Sequence, residues 1–459
     1  MRLLAESRPG HRNTVRVLFY GQSITAQGWS VWQEARLRER FPHAELVVEN
    51  RALGGYASQL LVKAAETDLY PFYPDLLIFH VYGAHDKYAD IIRRTRERTT
   101  SEILLLTDHV TRVEDLTEPL DPARVQMRAS EWSAFMNVLW LPSVAERFET
   151  AICDQRASWK AYLTRHHLAP SDLLRDEIHP NAHGDWLIGS CVNDCLHRDR
   201  GVGRSAAEEW VQWLEVGRAM QWRDDLLEVE FEGNRVDAVF EAGLRKNASL
   251  SASGELASES TIGVTIDGRS PSDWQELYGF TRAVPTPGGH WPAVMAIGSR
   301  ARLQPERWTL LMTTLSRDPE RYAFALEGSV TGADGHGRSD EPFVSRSGRI
   351  ILEPDNWGVA YAMGLAGTSK VPDRFTIQWD VVPRGVDRFP APVAGRPGVE
   401  PSVTLAQGLP PGRHTLRLRG PAGGLRGLRI YRPPLSRSVG SGHEQSPLTD
   451  RSDPQIKTE

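Results

Sequence analysis

The chain has 459 residues and a formal net charge of −5, with 40% hydrophobic and 25% charged residues. That length corresponds to two or three globular domains, the acidic balance gives no reason to expect nucleic acid as a partner, and no apolar run approaches the roughly 20 residues of a membrane helix. The opening stretch MRLLAESRPGHRNT lacks the apolar middle of about 7–15 residues that a signal peptide needs, so a cytoplasmic location is expected, or a secreted or periplasmic one if a leader has been removed.

The first 200 residues alternate strand-like with helix-like segments. VRVLFY (15–20), ELVVEN (45–50), DLLIFHVYG (75–83), EILLLTDHV (102–110) and TAICD (150–154) are short and nearly continuously apolar, as parallel strands buried on both faces are. Between them, VWQEARLRERF and YADIIRRTRERTT carry apolar residues on one helical face and charges on the other. DWLIGSCVNDCLH (185–197) closes the series as a helix. The order predicts an α/β sheet with right-handed crossovers. Cys191 and Cys195 lie four apart on that last helix near His197, and with Cys153 they read as buried thiols, not as a disulfide framework or a metal site.

The tryptophan-rich stretch 201–225 reads as a helical connector. Beyond it, LLEVEFEGNRVDAVFE (226–241), STIGVTIDG (260–268), FTIQWDVV (375–382) and RHTLRLRG (413–420) alternate with a period of two. Residues 226–435 are therefore expected to form a β-sandwich or jelly roll. Its aromatic residues, Trp274, Trp291 and Trp357 among them, are expected mainly in the core and otherwise on a carbohydrate platform. Residues 436–459 are polar without periodicity and are expected to be a disordered tail.

In a parallel sheet, ligands gather at the C-terminal strand ends. Gly21-Gln22-Ser23 follows the first strand, Asn50 and then Gly54-Gly55 the second, and Tyr82-Gly83-Ala84-His85-Asp86 the third. Late in the half, RDEIHPNAHG (175–184) sets Asp176 and His179 three apart. An acyl-transfer site needs a nucleophile, a base, a group that orients the base, and oxyanion donors. Ser23, between a strand and a helix whose N-terminus favours negative charge, fits the first. His179 fits the second and Asp176 the third, with the N–H groups of Ser23 and Gly55 as donors. Asp86 reads as a helix N-cap, Asn50 as a turn residue, Arg51 as a surface charge, and His183 as a solvent-facing or capping residue. Gln22, Trp29 and Tyr82 are expected to line the substrate; Trp29 and Trp32, three apart, fit one buried helix face equally well.

These blocks resemble the SGNH (GDSL-like) hydrolase superfamily over residues 14–200. GQSIT is similar to its first block, NRALGGYAS to its second, YGAHD to its third and DEIHPNAHG to its last. The resemblance implies an α/β/α sandwich around a five-stranded parallel sheet, no metal or cofactor, and ester hydrolysis through an acyl-enzyme. Gln22 replaces the usual acidic neighbour of the serine. His85 stands where an oxyanion asparagine belongs: its imidazole donates instead, or the third donor is missing or comes from elsewhere. Superfamily members with an appended jelly roll imply a carbohydrate O-acetylesterase, with an acetylated glycan as the partner. A lysophospholipase or thioesterase, or a non-catalytic glycan binder, is the alternative.

Overall fold

The computed structural model describes residues 1–119, 121–125, 132–196, 209–241, 261–390, 396–421 and 423–435. The expected tail, His197 and residues 201–208 of the expected connector lie outside them.

Strands β1 (Thr14–Gly21), β2 (Glu45–Asn50), β3 (Leu76–His80), β4 (Glu102–Leu106) and β5 (Ala151–Cys153) form one sheet in the order β2-β1-β3-β4-β5. Every pairing is parallel. The period of two splits each strand between two cores: Val15, Val17, Phe19 and Ile78 belong to one, Leu18, Tyr20, Leu77 and Phe79 to the other. Burial on both faces is why β1, β3 and β4 read as nearly unbroken apolar runs. Helices α1 (Gly28–Arg40), α4 (Gln155–His166) and α5 (Ala182–Cys195) cover the first face through Leu37, Trp159 and Ile188. Helices α2 (Ser58–Asp68) and α3 (His85–Arg98) cover the second through Leu61, Ile91 and Ile92. The expected five-stranded α/β/α architecture is the one observed, and the chain reverses its direction of travel across the sheet between β1 and β3, where ligands of such sheets bind.

The second half is β-rich, as expected, and holds two cores. A five-stranded and a four-stranded antiparallel sheet enclose Leu227, Val236, Ile262, Leu405, Leu416 and Ile430 as a sandwich. Between the sandwich strands Thr261–Ile266 and Arg388–Pro390 the chain inserts a six-stranded sheet with its own core. There Trp308, Phe324, Ile377 and Trp379 pack with Met363 of helix α6 (Val359–Leu365).

The helical connector is corrected. Val211–Glu215 is a strand paired antiparallel with Leu425–Tyr431, and Trp222–Arg223 pairs with the strand beginning at Leu226. A stretch this short gains little as an isolated helix. As an edge strand it gains a ladder and a seat for its indole: a Cβ on Gly427 would lie 2.5 Å from the Trp213 ring.

The β-rich half packs onto the α2/α3 face of the parallel sheet. Met295 joins that core, with Trp291 and Leu365 against it. Arg282 reaches Asp68 at 2.7 Å and the Arg51 carbonyl at 2.7 Å, and Tyr56 Oη donates to the Pro292 carbonyl at 2.8 Å.

Candidate active site

Strand β1 ends in glycine for a steric reason: a Cβ on Gly21 would fall 1.9 Å from the His80 carbonyl oxygen on β3. The chain then turns through Gln22–Gln27 before α1 begins, so Ser23 sits in a turn and not at the helix start. The N–H groups of Thr25 and Ala26 close that turn on the Gln22 carbonyl, and Gln27 donates to the Ser23 carbonyl at 2.6 Å. Asn50, at the end of β2, ties it down by donating to the Thr25 carbonyl and Ser30 Oγ. The expectation that Ser23 directly precedes a helix is corrected: α1 begins five residues later, at Gly28, where a Cβ would lie 2.7 Å from Asp185 Oδ2 of α5.

The base arrives on the loop before α5. His179 Nε2 lies 2.9 Å from Ser23 Oγ, and Nδ1 lies 2.9 Å from Asp176 Oδ2. Asp176 Oδ1 also accepts the N–H groups of His179 at 2.7 Å and Ile178 at 2.9 Å. These two backbone donors, more than the imidazole, hold the Asp176 carboxyl well below the usual carboxylate range. A permanently ionised Asp176 keeps the proton on Nδ1 and leaves Nε2 free to accept from Ser23.

The other residues of this segment build its shape. Asn181 caps α5 by accepting from the N–H groups of His183 and Gly184, and donates to the carbonyls of Asp172 and Leu174. Gly184 permits a close crossing, since a Cβ there would lie 2.3 Å from the Leu173 carbonyl. His183 is exposed and pairs with Tyr162 Oη at 2.8 Å.

The glycine pair after β2 borders the nucleophile. A Cβ on Gly54 would lie 3.7 Å from Ser23 Cβ, and Gly55 has a left-handed φ of +82°. Among the described residues, the N–H groups of Ser23 and Gly55 donate to no protein acceptor. Both are therefore available to an oxyanion beside Ser23.

His85 is packed among aromatic rings. Its ring stacks on Trp140 at 4.4 Å and on Trp132 at 5.7 Å, with Phe135 at 5.5 Å, and the residue is 8% exposed. Trp132–Trp140 lies some fifty positions downstream, so this packing has no local signal. Asp86 is the second residue of α3, paired with Lys87, and Ala84 occupies the N-cap.

Trp29 as a substrate wall is corrected. It is fully buried against Phe19, and its indole N–H donates to the Ile24 carbonyl at 2.6 Å. Trp32 packs where Gly189 of α5 leaves room. Gln22 is buried too, so of the three expected substrate contacts only Tyr82 is exposed, at 48%. Arg51 is bound to Glu49 and the Asp68 carbonyl.

Three contacts escaped the sequence reading, one of them made by Trp291, a residue expected in the core or on a carbohydrate platform. Burial pushes the His109 imidazole down to about 4, so it is neutral and its Nε2–H donates to the Ile178 carbonyl at 2.7 Å, bracing the His179 loop. The indole N–H of Trp291 donates to the Gly54 carbonyl at 2.9 Å, and Tyr361 Oη donates to the Gly55 carbonyl at 2.6 Å. Both come from the β-rich half, more than 230 positions away.

No protein-family model matches the chain, and no curated protein matches it. Among solved structures it is similar to Axe2, an acetylxylan esterase from Geobacillus stearothermophilus, at 16% identity and a TM-score of 0.35, over 43% of this chain and 100% of that one. It is also similar to LAE5, an alpha/beta hydrolase enzyme from the metagenome of Lake Arreo, Spain, at 19% identity and a TM-score of 0.33, over 42% and 100% respectively.

Proposed function

We propose that the chain is a serine esterase that removes O-acetyl groups from a polysaccharide or oligosaccharide. The observation that carries this reading is the unbroken line Ser23 Oγ, His179 Nε2, His179 Nδ1, Asp176, with both contacts at 2.9 Å. Ser23 Oγ attacks the acetyl carbonyl carbon while His179 Nε2 takes its proton. The carbonyl oxygen becomes an oxyanion facing the N–H groups of Ser23 and Gly55. Collapse breaks the bond to the sugar oxygen, which receives the proton from His179. Water then attacks acetyl-Ser23, again giving a proton to His179, and acetate leaves with Ser23 restored.

A carbohydrate substrate is supported by the rim of the site. Tyr82 and Tyr361 are 48% and 45% exposed, and Tyr361 reaches the Gly55 carbonyl. Burial first, and then the neighbouring Tyr82, raise the Tyr361 phenol above its usual range, so it stays protonated and can donate. Two exposed phenol rings give a sugar ring apolar faces and hydroxyl partners. Hydrolysis of p-nitrophenyl acetate, butyrate and octanoate, together with acetate release from acetylated xylan, tests the reading. Turnover fastest on acetyl esters and lost in Ser23→Ala is expected. Faster octanoate cleavage would replace it with a lysophospholipase or thioesterase reading, and glycan affinity without hydrolysis with a binding role.

The pH profile has a defined sign. Only neutral imidazole accepts the Ser23 proton, so kcat/KM falls as pH drops through the pKa of the base in the free enzyme. Asp176 stays ionised far below that range, so the acid limb has the slope of a single proton. A flat kcat/KM from about pH 5 to 8 would contradict a histidine base.

A further inference from the structure

The glycine pair beside Ser23 is held at both of its carbonyls, and both holding groups belong to the β-rich half. The Gly54 carbonyl and the Gly55 N–H are two ends of one planar peptide and point in opposite directions. Trp291, donating to that carbonyl at 2.9 Å, therefore fixes the direction of the Gly55 N–H. Tyr361 fixes the next peptide plane through the Gly55 carbonyl at 2.6 Å. A lock is needed here because consecutive glycines, one of them at φ +82°, rotate their shared peptide with little steric resistance.

Side chains of α6 crowd Gly55, whose left-handed φ of +82° already disfavours a side chain there. A Cβ on Gly55 would lie 2.9 Å from Leu365 Cδ2 and 3.0 Å from Tyr361 Oη, so α6 lies directly over the glycine. Trp291 is itself steadied by His290, stacked at 4.0 Å.

We propose that Trp291 and Tyr361 are positioning residues: through the Gly54 and Gly55 carbonyls, the β-rich half sets the Gly55 N–H as an oxyanion donor. This rests on the esterase reading above. The β-rich half is then part of the catalytic apparatus, and not solely a glycan-binding appendage.

The test is steady-state kinetics on p-nitrophenyl acetate for the full chain and for Trp291→Phe, Tyr361→Phe and Lys63→Ala. Trp291→Phe keeps a ring and removes the N–H. Lys63→Ala removes another contact between the halves, Lys63 Nζ to the Asp355 carbonyl at 2.7 Å, away from the glycines. A displaced donor costs up to about 100-fold. Trp291→Phe is expected to lower kcat about 10- to 100-fold with KM within about twofold and the acid limb unmoved. Tyr361→Phe is expected to act in the same direction, and Lys63→Ala to match the wild type. Wild-type kcat in Trp291→Phe would overturn the proposal, as would an equal loss in Lys63→Ala, which would mean general undocking. Absence of serine-dependent turnover in the wild type would instead overturn the esterase reading, and the proposal with it.

Discussion

Replacing Ser23 and His179 together with alanine is expected to lower kcat no further than replacing either one alone, each single change costing on the order of 10⁶-fold. The two side chains act as one unit, because the 2.9 Å contact carries the proton that makes Ser23 a nucleophile. Without His179 the hydroxyl keeps its proton; without Ser23 the imidazole has nothing to activate. Asp176→Asn is expected to cost less, about 10⁴-fold, by losing the preferred tautomer while keeping the ring in place. Its amide can still accept from the N–H groups of Ile178 and His179, so the loop survives the change. Multiplicative losses in the double variant, measured on p-nitrophenyl acetate, would show that the two residues do not share one step.

Arg282→Ala is expected to destabilise the protein by about 3–5 kcal/mol in urea denaturation. Asp68 is 3% exposed at its side chain, and burial raises its pKa against the pull of Arg282. Arg282 meets it at 2.7 Å and spans to the carbonyls of Arg51 and His290. Removing the guanidinium leaves a buried carboxylate uncompensated and unhooks the β-rich half from the end of α2. Adding Asp68→Ala should recover part of the loss, since the orphaned charge goes with it. A change within about 0.5 kcal/mol would mean that the pair is a surface contact in effect.

The parts of this molecule that follow local rules were legible in the sequence. Five strands announce themselves by short apolar runs, and the DEIHPNAHG segment packs a carboxylate, an imidazole, a cap and a crossing glycine into nine residues. What stayed hidden depends on residues far apart in the chain. The hold of Trp291 and Tyr361 on the glycine pair spans 237 and 306 positions. The stacking of His85 on Trp132 and Trp140 is likewise a tertiary event. Trp29 misleads because an indole near a nucleophile suggests a sugar platform, while α1 turns it inward onto Phe19. The 211–215 strand misleads because five residues carry too few periods to separate helix from edge strand.

The proposed chemistry requires Ser23 to be a nucleophile activated by His179. A fluorophosphonate probe, which reacts with activated serines, followed by intact-protein and peptide mass measurement tests this most directly. One adduct per chain, on Ser23, absent in Ser23→Ala and strongly slowed in His179→Ala, is the predicted result. No adduct, or an adduct on another residue, would contradict it.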